Sequence, residues 1–295
     1  MTSLPGVVLI GSLFGFLVEG VLTPVIYEAG LLDPVMPAYF VGWHGLLSVV
    51  LGFYWIRRCL IESRWKALLG GGFALGVFWG LWALPYRLPE AIQEFQALLA
   101  EGKHWIPGAW PFPDFLAYTL IFTGMLMAAH WLLGLGFWES TFRLNRWELG
   151  IMVSLTCLIF ISQVFVILPL AVFKLLALII LALMPLEISR RQQPDRSSLL
   201  ASLSGSVSFV QTLTLLSLPL GACLIYGLAG LYPLPDDALR SLYEILSLGQ
   251  TLLGAGLFLW AWVQSIRDPG KSRKAGKHFT PDHRAPDCDQ ARSAH

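Results

Sequence analysis

The sequence predicts an all-α fold: a polytopic bundle of about eight membrane-crossing helices with both termini in the cytoplasm. Three observations carry this reading: the scarcity of charge, the succession of long apolar runs, and the return of basic residues at every second exit. Charged residues make up 13% of the chain and apolar ones 56%, with a mean hydropathy of +0.64. Soluble domains carry about 25% charged residues, so this chain lacks the charge to cover a water-facing surface. Its formal net charge of +1 offers no basic face, and no nucleic-acid partner is expected.

A hydrocarbon core about 30 Å thick needs roughly 20 apolar residues per helical crossing. The first apolar run, 5–27, lacks a basic leader and is too long for a signal peptide, so it reads as a retained helix. Further helices are expected at 38–56, 67–86, 114–138, 149–168, 171–188, 205–230 and 241–266. The stretch 149–188 is too long for one crossing. Pro169 and Lys174 mark a tight outer turn within it, because Pro breaks the hydrogen-bond ladder and Lys seeks water. Between the third and fourth helices, 89–101 has apolar residues at helical spacing, as an interfacial helix does. Residues 1–266 thus form one transmembrane domain, and 267–295 read as a disordered, basic cytoplasmic tail.

Arg57, Arg58, Arg64 and Lys66 follow the second helix, Arg143 and Arg146 the fourth, and Arg190, Arg191 and Arg196 the sixth. Arg267, Lys271, Arg273, Lys274 and Lys277 follow the eighth, whereas the opposite side holds only Arg87, Lys103, Lys174 and Arg240. The positive-inside rule places the even exits in the cytoplasm of a cell-membrane protein.

Chemistry is expected in residues 1–138, since an ionisable residue inside a bilayer needs a partner or a water-filled cavity. Glu19 lies roughly 12 Å, and His44 about 9 Å, below the same outer surface on sequential antiparallel helices. The two are expected to meet as a buried polar pair, with Gly42 and Gly45 allowing close approach. Tyr27, Glu28, Asp33, Tyr86 and Arg87 gather at the outer helix ends, with Trp79 and Trp82 at similar depth. They form the expected periphery of an outward-opening pocket with an acidic floor and an aromatic wall.

The segments around Gly15-Phe16-Leu17-Val18-Glu19-Gly20 and Gly76-Val77-Phe78-Trp79-Gly80 are alike, each with a proline and then a histidine-bearing helix downstream. That repeat suggests a duplicated two-helix unit within 1–138. Residues 139–266 carry mostly Ser, Thr and the amides Gln163, Gln211 and Gln250, and are expected to serve as scaffold or as an oligomer contact through helices 5–8.

Cys59, Cys157, Cys223 and Cys288 make no C-x-x-C pair, and no metal site is expected. Haem held by His44 and His130 is disfavoured by their difference in depth, and no cofactor is expected. Gly76–Pro85 resembles the segment around the second motif of the Abi/CAAX-type glutamic intramembrane proteases. Ala83 stands where that family has a histidine, and no Glu-Glu pair followed by Arg occurs. The expected function is therefore a carrier or binder of a small, lipid-soluble or protonatable molecule. A membrane-embedded enzyme and a non-catalytic accessory subunit are the alternatives.

The orientation is checked by fusions. Alkaline phosphatase should be active when fused after Lys103 or Pro235 and inactive after Arg196 or Arg267; the opposite pattern would reverse the topology.

Overall fold

Every regular element among the described residues is a helix. The computed structural model describes residues 3–100, 110–135, 145–166, 168–192 and 203–267. Eight of its helices are long and apolar enough to cross a membrane. They are α1 (Leu4–Leu22), α2 (Val35–Ile61), α3 (Trp65–Arg87), α4 (Phe112–Leu132), α5 (Arg146–Phe165), α6 (Ala171–Arg191), α7 (Phe209–Leu231) and α8 (Asp236–Arg267). A shorter amphipathic helix spans Pro89–Ala100. The tail from 268, with the expectation of disorder there, lies outside the described residues.

The boundaries follow from local chemistry. α1 stops short of the expected position 27 because the residue before a proline is pushed out of the helical region; Thr23 is extended, at φ −129° and ψ 91°, and Pro24–Tyr27 forms a separate 3₁₀ turn. The Asp33 carboxylate accepts the Met36 N–H at 3.0 Å, satisfying one free donor at the start of α2. Asn145 and Glu148 form a reciprocal capping box that starts α5, and Ser208 and Gln211 form another before α7. α5 and α6 are separate helices joined by a short turn at Pro169, as the length of 149–188 requires.

Packing sorts the helices into two groups. α1 and α8 contact each other and both α2 and α6, with α5 against the end of α1; α3 packs chiefly along α7, which also contacts α4. Backbones touch at the centre of each group. A Cβ on Gly11 of α1 would lie 2.8 Å from Gly45 Cα of α2, and one on Gly76 of α3 would overlap the Leu218 carbonyl of α7. Only glycine permits these approaches. Val18–Leu22 in α1 and Val41–Trp55 in α2 are wound in wide i→i+5 turns. Such turns are rare and recur at functional sites.

One side chain ties the two groups together. Arg57, expected in a water-facing basic exit, is 0% exposed. Its Nη1 donates to His130 O at 2.5 Å, and Nη2 donates to Leu133 O at 3.2 Å and Gly205 O at 2.7 Å. Its Nε donates to Leu203 O at 3.1 Å. His130 and Leu133 lie at the C-terminal end of α4, where carbonyls lack helical partners and the helix dipole is negative. The four carbonyls thus take the place of both water and a carboxylate partner. His130 adds Nε2 to Gly52 O of α2 at 2.9 Å and stacks on Phe53.

Arg57→Met should lower the detergent-solubilised thermal midpoint sharply, at a cost of at least about 3 kcal/mol, because four carbonyls lose their donors. Arg57→Lys should recover only part of the loss, since an ammonium cannot reproduce the planar fork. A melting curve for Arg57→Met that overlays the parent would remove this role.

Candidate functional site

An acid and a base inside an apolar helix pair are held apart from water, so their geometry is set by each other. Glu19 sits in the wide turn of α1, and His44 in that of α2. Close contact at Gly11 and Gly45, continued where Gly15 passes His44 Cβ and the Phe40 carbonyl, brings the two helices together. His44 Nε2 and Glu19 Oε1 lie 2.7 Å apart, with side-chain exposures of 14% and 12%. The meeting expected from depth alone is therefore present. Among the described residues, no other ion pair has both side chains this enclosed.

Both carboxylate oxygens are used, because Thr23 Oγ1 donates to Glu19 Oε2 at 2.9 Å. That hydroxyl is available where it is because the Pro24 break ends α1 one turn beyond the carboxylate. Phe40 stacks on the imidazole at 6.2 Å and Phe14 meets it edge-on at 5.8 Å. Nε2–H donation to the carboxylate fixes the ring, while Nδ1 has no partner among the described residues. A carboxylate-oriented imidazole with a free second nitrogen can accept a hydrogen bond or a proton from an incoming group.

The surrounding candidates divide among different tasks. Tyr27 is buried and its hydroxyl donates to Gly20 O at 2.9 Å, supporting the wide turn below Glu19. Burial pushes its phenol up to about 12, so it remains a donor across the ordinary pH range. Asp33 caps α2, and Glu28 is exposed. Trp79, Trp82 and Tyr86 line a cavity of about 180 Å³ with Trp43, Trp110 and Tyr118. Arg87 lies 3.8 Å from the Tyr226 ring and donates to Tyr226 O at 3.0 Å, so its role is to clamp α3 to α7. Trp82 still approaches the pair through Tyr39 and Trp43 of α2, at centroid distances of 6.2 and 5.1 Å. The expected single pocket is thus resolved into the pair, an aromatic box and a groove of about 620 Å³ that Asp33 borders. Neither cavity is lined by Glu19 or His44.

Lys174 departs from expectation. It lies in the first turn of α6 instead of the outer turn, is 9% exposed, and does not snorkel to water. Its Nζ donates to Ile26 O at 2.7 Å and Gly30 O at 2.8 Å, fastening α6 to the α1–α2 connection. The sequence signal was its position a few residues after Pro169, which is compatible with either placement. Among the amides expected to join helices, Gln211 bonds Ser63 Oγ, whereas the Gln250 amide is buried without a partner among the described residues. The histidines expected to be unsuited to a shared haem each engage Nε2 elsewhere, on Glu19 and on Gly52 O.

This geometry defines a class: an all-helical bundle with, among the described residues, eight helices long and apolar enough to span a membrane and one enclosed acid–base pair. Comparison with protein-family models, curated proteins and solved structures finds no match.

Thr23→Val keeps the shape and removes the donor to Glu19. It should cost about 1 kcal/mol, read as a lower thermal midpoint. Thr156→Val on exposed α5, whose hydroxyl bonds only its own helix, should change little. Equal effects of the two would show that Thr23 does not hold the carboxylate.

Proposed function

We propose that the protein crosses the cell membrane eight times with both termini cytoplasmic, and that it binds or carries a small lipid-soluble molecule at Glu19 and His44. The basic exits of α2, α4, α6 and α8 support the orientation. The observation that carries the binding reading is the 2.7 Å Glu19–His44 pair, largely enclosed but with imidazole Nδ1 left without a partner among the described residues. A ligand bearing a hydroxyl, amine or acidic N–H would donate to Nδ1. A ligand acidic enough to pass that proton to Nδ1 would be left as an anion beside an imidazolium that forms an ion pair with Glu19.

The same nitrogen also favours a second reading, a membrane-embedded enzyme in which His44 is a general base oriented by Glu19. Turnover of the bound molecule on the purified protein separates that reading from a carrier.

Mass spectrometry of small molecules that co-purify with the detergent-extracted protein, beside folded Glu19→Gln, tests the site. A stoichiometric compound present in the parent and lost from Glu19→Gln is the expected result. A compound retained by the variant would place the site elsewhere. No compound in either protein, with a melting point lowered in the variant, would make the pair a structural lock.

A further inference from the structure

The groove of about 620 Å³ is formed by α1, α2, α6 and α8 and is lined almost wholly by apolar side chains, among them Phe16, Val41, Leu178 and Phe258. It lies within the size range of small-molecule sites. Its rim residues Phe173 and Leu259 are 69% and 63% exposed, so it opens sideways on the outside of the bundle. From Pro34 to Val41 it runs about 10 Å along α2, starting at the α1–α2 connection. At that end stand the two charged residues of its lining, Asp33 and Lys174. Leu32, 97% exposed, projects beside them.

The charges are placed for use. Lys174 spends two of its three donors on Ile26 O and Gly30 O, which leaves one N–H. Asp33 Oδ2 takes the Met36 N–H, and its other oxygen has no partner among the described residues. Both side chains line the same groove, and Lys174 is fastened to the α1–α2 connection from which Asp33 extends. An apolar trough ending in one cation and one anion is complementary to an amphiphile whose head carries both signs. A purely anionic head would meet Asp33, and a purely cationic one Lys174.

We infer that this groove seats one acyl chain of a zwitterionic phospholipid, with its phosphate on Lys174 and its ammonium on Asp33. The inference rests on the membrane-crossing reading but not on a ligand at Glu19 and His44, since neither residue lines the groove.

The test is native mass spectrometry of the delipidated full chain titrated separately with a palmitoyl-oleoyl phosphatidylethanolamine and the matching phosphatidylglycerol. The parent should retain one ethanolamine lipid at least tenfold more tightly than the glycerol lipid. Ala177→Phe fills the exposed trough wall and should abolish that retention while the protein still melts cooperatively. Asp33→Asn keeps an acceptor for the Met36 N–H, and it should bind both lipids alike. Glu19→Gln should leave the lipid in place, so failure here is distinguishable from failure of the Glu19–His44 site. Equal retention of the two lipids by the parent, or undiminished retention by folded Ala177→Phe, would overturn the assignment.

Discussion

A guanidinium inside an apolar bundle must be surrounded by acceptors, and that requirement at Arg57 organises the rest of the molecule. Its four contacts reach the end of α4 and the 203–205 segment before α7, so three elements distant in sequence are fixed by one side chain of α2. The acceptors are backbone carbonyls, not carboxylates. Four such dipoles, two of them at a helix C-terminus, satisfy the charge and also fill positions that would otherwise be orphaned. The α1–α2 group and the α3–α4–α7 group therefore meet at a defined depth.

Lys174 repeats the device at the other end of α2. Its ammonium occupies the Ile26 and Gly30 carbonyls, exposed by the break at Pro24, and draws α6 onto the α1–α2 connection. Each buried cation thus compensates for a place where regular backbone bonding stops. Glu19 and His44 are different, because they satisfy each other across two helices instead of repairing a helix end. The wide turns on both sides and the Thr23 hydroxyl aim the carboxylate, so the pair is a consequence of α1 geometry as much as of composition.

Enclosure on one side and access on another arise from the same packing. The glycine contact between α1 and α2 brings Gly15 against His44 and closes the pair from below, while Nδ1 stays unpartnered among the described residues. Phe16 and Val41 also face the apolar groove, whose other walls are α6 and α8. The aromatic box beside α3 is a third compartment, bounded by Tyr226 held between Arg87 and Phe115.

The sequence by itself determined the all-helical class and the number and approximate positions of the long apolar helices, because a run of about 20 apolar residues is a local property. It also determined that Glu19 and His44 could meet, since two residues at similar depth on consecutive antiparallel helices need only a short loop between them. Tertiary structure alone decided which polar groups are buried and with whom. Arg57 at a basic exit and Lys174 beside a proline turn read as solvated cations, for nothing local reveals that carbonyls of α4, of residues 203–205 or of the α1–α2 connection come within reach. Trp79 shares a depth with Glu19 and Tyr86 and Arg87 lie at the same outer end, but the packing of α7 against α3 turns them to another compartment. Depth is encoded along one helix; azimuth and partner depend on how all eight pack.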